Sequence, residues 1–596
     1  MGRIEIVRRS VLAEVLRRAF IGIGASGQSG ADSVHGQFGQ AGDWDASRKS
    51  SVAAWLRDHA QERALVVDQF LTGADTELQE RRDELLAFVT SGFLSEVDSA
   101  ARHNEQTALA LSQRLADAGL LPMFGFPTRM RTLYTRRPTI ARPWPPRATI
   151  ARDASVALST WSPGSEVIKD KGLHRVVGFA DFRPQGARHV ASVPDPLGPR
   201  RDVGQCTECG TVDTTAGDKD ACPACAAPVA VGGQAGYRRL TIVQPIGYRT
   251  DFKRREYKGW LEWSASGSRP RMSAEPVPLM PVEYAQIGAA SSMQIFQIND
   301  NNGRDWELAP AKTGDGWICT EVVDKHGNEA EYDDAGKQSV ALAATKRTDV
   351  LVIGVQPDSV PAGFSLRPDK PQRRAAWYSL GFLLRGAAAR YLDVQIDELD
   401  VGLRAVSIAG EYQAQLFLSD VLANGAGYCT HLGHAAQFTE LLDHADTWGT
   451  KLSAHGEAGA LCDSACYDCL RDYRNMPYHG LLDWRLALDM LDLLRGRNLA
   501  PTRWDPVRDI ALARFCDGLE DYELDAAPGG LPAARDGDDW IIPLHPLMDA
   551  DESHLAEHAA EAKVELEAEG STVFLTDYFN LLRRPSWVYT HALALD

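Results

Sequence analysis

Four cysteines, Cys206, Cys209, Cys222 and Cys225, stand as two Cys-x2-Cys pairs separated by twelve residues. No other feature of the sequence restricts the fold so tightly. Four thiolates at this spacing suit one tetrahedral ion gripped by two tight turns, as in a zinc ribbon or knuckle. Each turn offers backbone N–H groups to the sulfurs, and Gly210 supplies the positive φ that such turns need. Four protein ligands leave no open position on the ion, so the expected role is structural. A redox dithiol is the competing reading, and two matched pairs speak against it.

A second group is less regular: Cys429, a gap of 32 residues, then Cys462-x3-Cys466-x2-Cys469. The trio alone fits either zinc or an iron–sulfur cluster. Adding Cys429, from the stretch NGAGYC, completes four thiolates, with His431 and His434 close enough to substitute for it. Buried, unligated cysteines are the bland alternative. With four sulfurs the ion has no vacancy for water, so the centre is expected to fasten NGAGYC to the segment after Cys469. Asp472 and Tyr473 are then expected on a helix, leaving Arg471 and Arg474 to face a phosphate or a carboxylate. Cys319 and Cys516 stand alone among the ten cysteines.

At 596 residues the chain has room for roughly three or four domains of about 150 residues. Hydrophobic content of 44% and charged content of 24% are ordinary for a folded protein. No apolar run is long enough to span a membrane, and the N-terminus lacks the unbroken apolar core of a signal peptide. A cytoplasmic location is expected, where clustered cysteines point to metal before disulfides. The net charge of −18 is uneven: residues 501–596 hold twenty acidic and seven basic side chains, a net of −13. Acidity overall therefore does not exclude a local basic surface.

The pattern along the chain predicts a multidomain α+β protein. Residues 1–126 show helical spacing and few breakers, and are expected to form a helical domain. Residues 127–155 carry Arg129, Arg131, Arg136, Arg137, Arg142, Arg147 and Arg152, with Tyr134 and Trp144 between them and prolines keeping the segment extended. This is either a linker whose arginines face water or a DNA-contacting strand in which arginines track phosphates and aromatics stack on bases. Residues 156–370 shorten to apolar runs bounded by Gly, Pro, Asn and Asp, the pattern of a β-rich domain, with the zinc ribbon at 206–225 as its insertion. Residues 371–500 alternate a long helix, two strands and a further helix that stops at Gly496, giving an α/β domain with the second four-cysteine zinc site. The acidic region 501–596 shows one Ala/Glu helix near 551–569.

Nucleotide chemistry leaves no signature. No G-x4-G-K-[ST] loop, DExx box or phospholipase-type nuclease motif occurs. Glu561-Ala562-Lys563 mimics a fragment of a restriction-nuclease site, but ion pairing on a helix explains it better. On its own this chain is not expected to be an enzyme, and no catalytic residue is assigned.

Residues 417–429 (FLSDVLANGAGYC) and 462–475 (CDSACYDCLRDYRN) together resemble the MrfA-type zinc-binding domain at the C-termini of some superfamily 2 DNA helicases. The same domain defines the DrmB-like proteins of DISARM phage defence. Upstream, VRRSVLAEVLRRAF, DSVHGQFG, LADAGLLPMFGFPTRMRTLY and WSPGSEVIKDKG are similar to the region after the motor domains of large bacterial helicases, including Druantia-type ones. The resemblance spans roughly residues 1–500 and implies zinc at Cys429, Cys462, Cys466 and Cys469. It also implies a non-motor, DNA-binding accessory subunit of an anti-phage helicase or translocase, either a stand-alone DrmB-like subunit or the detached C-terminal half of a split helicase. The ATPase would be a separate superfamily 2 motor chain, and the bound DNA single-stranded or duplex. A DNA-repair helicase subunit, or a nuclease with an unrecognised site, is the alternative; a structural module with no DNA contact is a third.

Overall fold

The structure, a computed structural model, describes the chain apart from residues 1–3, 26–37, 75, 103–110, 123–129, 139–148, 186–187, 192–193, 216, 218, 231–235, 258, 260–268, 326–331, 409–410, 458–461, 520, 550–554 and 596. The N-terminal region is helical, as its periodicity predicts. In the first helix, Ile4–Gly22, the residues Val7, Val11, Val15 and Leu16 recur at helical spacing and are all buried. They pack against Ala46–Asp58 and Ala60–Leu71, the former capped by Asp45, whose side chain accepts from Arg48 N at 2.8 Å.

The centre of the molecule is organised on one strand of 18 residues, Gln338–Val355. Along one edge it pairs antiparallel with Ala285–Asn299, from Ala285↔Val355 to Asn299↔Leu342, with an irregularity between Ala290 and Met293. Opposite Ala285–Asn299 it takes Tyr237–Val243 parallel along its N-terminal half and Glu411–Asp420 antiparallel along its C-terminal half, the latter pairing in turn with Leu399–Ile408, while its first residues pair antiparallel with Trp306–Pro310. From Trp306–Pro310 the ladder continues through Trp317–Cys319 and Gly172–Phe179 to Gly247–Thr250. It ends on Met130–Tyr134 and Thr149–Asp153. Both described ends of the Arg-rich segment are therefore paired strands of this sheet.

One face of the Leu399–Ile408 pair is covered by the helix Pro371–Leu392, which is buried on nearly every side. Gly381 permits the close approach: a Cβ there would lie 2.5 Å from Val401 Cγ1 and 2.7 Å from Leu416 Cδ1. Ala435–Glu457 and Trp484–Leu494 pack beside it. Gly449 sits at their crossing, where a Cβ would come within 2.8 Å of Leu488 Cδ2.

The acidic C-terminal region holds far more regular structure than the single helix expected there. Helix Asp505–Asp517 precedes a meander of Glu523–Ala527, Leu531–Asp536 and Asp539–Leu544. The expected helix, Glu557–Ala568, then crosses over to Thr572–Asp577, which pairs parallel to Asp539–Leu544. Many acidic residues lie on exposed positions of these elements, so the charge sits outside while Ile541, Ile542 and Leu544 fill the inside. Among the described residues no helix is long and apolar enough to cross a membrane.

Candidate metal centres

Strand Arg201–Cys206 delivers Cys206 at its end, and the chain then turns so that Gly210 N donates to Cys206 O at 3.1 Å, with Gly210 at φ 77°. The second turn repeats the device: Ala226 N donates to Cys222 O at 2.9 Å, with Ala226 at φ 57°. A left-handed alanine is strained, and it persists where surroundings fix it. The two turns bring Cys206, Cys209, Cys222 and Cys225 together with all four sulfurs within 4.8 Å of one another. Cys206–Cys225 and Cys209–Cys222 are each 3.6 Å apart. A tetrahedral ion with metal–sulfur bonds of about 2.3 Å requires sulfurs about 3.8 Å apart. The donor set fits.

Protonation tells the same story. The Cys209 thiol, hydrogen-bonded to Cys206, Cys222 and Cys225 and buried, is pushed far up, while hydrogen bonds from Cys206 and Cys209 hold Cys222 far down. Four clustered thiols, three of them buried, cannot ionise together without a cation to balance them. The ribbon is tied to the sheet beyond its own strands. Thr211 Oγ1, 3.2 Å from Cys209 Sγ, donates to Ala405 O at 3.1 Å, and Arg271 Nη1 donates to Cys206 O at 3.2 Å.

The second centre is assembled in part. Cys462, Cys466 and Cys469 have their sulfurs within 4.8 Å of one another, Cys462 and Cys469 at 3.7 Å, a spacing that suits the same kind of ion. Cys466 N donates to Cys469 Sγ at 2.9 Å, the amide-to-sulfur bond that stabilises a thiolate. Cys429 does not join this group among the described residues. It is fully buried beside Asp420, and burial raises its thiol well above the ordinary value. His431 stacks on Tyr391, 6.4 Å between ring centroids, and is not grouped with the trio either.

The NGAGYC loop owes its shape to Asp420, which the sequence did not single out. Its Oδ2 accepts from Ala426 N (2.7 Å), Gly427 N (2.8 Å) and Tyr428 N (3.2 Å), and Oδ1 accepts from Cys429 N (3.0 Å). One carboxylate thereby satisfies the N-terminus of the short helix Tyr428–Leu432. Gly425, at φ 75°, lies so near the buried Asp349 that a Cβ would fall 2.1 Å from its Oδ2. From the helical region Arg9 reaches the same loop, donating to Asn424 O at 2.6 Å and Gly425 O at 3.2 Å.

Beyond Cys469 the expected helix through Asp472 and Tyr473 does not form. Asp472 instead closes a turn, its Oδ1 accepting from Arg474 N (2.7 Å) and Asn475 N (3.1 Å), and its other oxygen pairs with Arg385. Tyr473 is 83% exposed, and Arg474 binds Asp397 at 2.8 Å.

Of the seven arginines, Arg129, Arg142 and Arg147 lie outside the described residues. Arg131 donates to Pro245 O at 2.7 Å and serves the sheet; Arg137 pairs with Asp315 at 3.3 Å. Arg136 and Arg152 are exposed. Arg152 is the cross-strand partner of Arg131, a like-charge pairing that costs stability without an anion nearby.

No family model matches the chain. Over 120 residues it is 34% identical to Druantia protein DruE of Escherichia coli (strain UMEA 4076-1), a match covering 20% of this chain and 6% of the relative. Among solved structures it is similar to the DUF1998 helicase MrfA bound to DNA, with 8% identity and a TM-score of 0.28 over 58% of this chain and 31% of that one. The chain thus spans a small part of either protein's length, and over those 120 residues it is a distant relative of a Druantia protein.

Proposed function

We propose that the chain is a DNA-binding, non-motor component of an ATP-dependent helicase or translocase in anti-phage defence, with a superfamily 2 motor supplied by a separate chain. The observation that carries this reading is the 34% identity to a Druantia protein, on a sequence with no nucleotide-binding loop. Zinc is the ion proposed for both centres: all-thiolate donors select soft or borderline metals, and zinc in structural sites takes the four-coordinate tetrahedral arrangement that the sulfur spacing of the ribbon suits. Cys206, Cys209, Cys222 and Cys225 would hold one ion, and Cys462, Cys466 and Cys469 three positions of another. When bound, the ion of the four-thiolate ribbon contributes folding energy and no reaction step, because its four protein ligands leave no open position.

In this reading Arg136 and Arg152 contact phosphate from an otherwise firmly paired sheet. The test is DNA binding by the purified chain, alone and with its motor, across salt concentrations. Changing both arginines to Glu is expected to weaken binding and to reduce the magnitude of the salt slope by about 2. An unchanged slope removes DNA contact from the proposal. DNA-stimulated ATP hydrolysis by this chain alone, or DNA cleavage with Mg²⁺ or Mn²⁺, overturns the non-motor, non-enzymatic assignment.

A further inference from the structure

A cavity of about 520 Å³ opens where the cysteine ribbon meets the Leu399–Ile408 and Glu411–Asp420 strand pair. That volume falls in the range of small-molecule sites. Most of its wall is apolar, with Pro223, Val277, Leu279 and Met280 contributing, and the polar part includes Arg404 and Gln415.

Arg404 is the unusual member. It is 2% exposed, yet no carboxylate reaches it among the described residues. Its Nε donates to Gln415 Oε1 at 2.9 Å, and its Nη1 to the carbonyls of Glu275 (2.8 Å) and Ser273 (3.4 Å). These partners are neutral, and among the described residues none bonds Nη2. Elsewhere in the molecule buried arginines meet acids: Arg175 with Glu166, Arg249 with Asp315, Arg373 with Asp369 and Asp549, Arg385 with Asp472, Arg485 with Asp483. Arg63 also lacks an acid, but it lies within the helical region. An uncompensated cation in an apolar setting is costly, and burial alone holds the Arg404 guanidinium down to about 10.

We propose that this cavity binds a ligand with a single carboxylate on an apolar body, the carboxylate accepting from Arg404 Nη2 and the body lying against Val277, Leu279 and Met280. One guanidinium balances one negative charge. A phosphate dianion would carry a second, unbalanced charge into an apolar pocket, so a monoanion fits better. The same chemistry is offered by a free amphipathic acid and by the C-terminus of a peptide ending in apolar residues. The inference stands apart from the DNA-binding reading, since none of the residues it uses enters that proposal.

Calorimetric titration of the full chain tests it. Decanoate is expected to bind at least tenfold more tightly than decan-1-ol, which has the same body and no charge. R404Q should lower decanoate affinity at least tenfold and leave decan-1-ol unchanged. If R404Q does not fold, M280W, which fills the cavity and keeps the guanidinium, should abolish decanoate binding. A peptide ending in Leu-Leu as the free acid, compared with its amide, separates the two sources: tighter binding of the peptide acid than of decanoate points to a protein C-terminus, the reverse to a free acid. Equal binding of decanoate and decan-1-ol, adenosine monophosphate binding more tightly than either acid, or unchanged decanoate affinity in M280W overturns the proposal.

Discussion

Asp420 shows how much one side chain can decide. Four backbone N–H groups converge on its carboxylate, and among the described residues no other acceptor meets them. Asp420→Ala leaves them without partners, two of them buried, at a cost of roughly 2–4 kcal/mol, and hydrogen exchange across residues 424–429 should accelerate. Asp420→Asn keeps one oxygen and should cost less. A second carboxylate has a pH signature. Burial pushes Asp577 up to about 6, above the usual value of an unfolded aspartate. The folded state therefore holds a proton that the unfolded state releases. Asp577 stabilises the fold fully below about pH 4, and that contribution, about 3 kcal/mol, is lost as pH rises through about 6. Thermal unfolding of Asp577→Asn should be flatter than wild type over that window. At this scale the spacing of Cys206 to Cys225 was legible because two local turns decide it. The position of Cys429 was not, because it depends on Asp420 and Asp349, and neither has any sequence signal linking it to cysteine.

Elements were readable where one periodicity prevails. The helices Pro371–Leu392 and Trp484–Leu494 and the strands around them follow the sequence pattern closely. Between Cys429 and Cys462 lies Ala435–Glu457, a helix of 23 residues that the pattern did not announce. Thr439, Thr447, Gly449 and Thr450 interrupt its helix-forming residues, and Gly449 is there for its neighbour: only a missing side chain lets Leu488 approach. Gly381→Ala tests the same logic on the helix above. Its methyl would overlap Val401 and Leu416, so denaturant unfolding should show a loss of about 1–3 kcal/mol. The ribbon gives a sharper expectation. Cys222→Ser should remove one equivalent of bound metal by elemental analysis and lower the melting temperature, while metal at the Cys462 trio is retained. Loss of all metal would mean that the two centres fold as one unit.

At the scale of the whole molecule, the C-terminal region was read from its charge, and its charge concealed its core. Fully buried Asp489, on Trp484–Leu494, accepts from Trp504 Nε1 at 2.8 Å, meets His545 Nε2 at 3.0 Å and pairs with Arg503. Burial works against that carboxylate, and these partners together still hold it below the ordinary aspartate value. All three partners lie beyond residue 500. A chain ending there would leave a buried, uncompensated charge, so residues 1–500 expressed alone should unfold at markedly lower temperature than the full chain. Adding Asp489→Asn to the short chain should recover part of the loss.

The strand Gln338–Val355 has a mechanical consequence. At about 3.3 Å per residue, 18 residues reach up to about 60 Å, and partners occupy both edges over much of that length. The cysteine ribbon hangs from one half through Tyr237–Val243, and the Asp420 loop hangs from the other through Glu411–Asp420. Their attachments, at residues 341–342 and 350–353, lie roughly 30 Å apart along one strand. The strand acts as a spacer bar, so that whatever docks on the ribbon and whatever docks on the loop are held at one set distance, and load applied at one attachment is carried to the other.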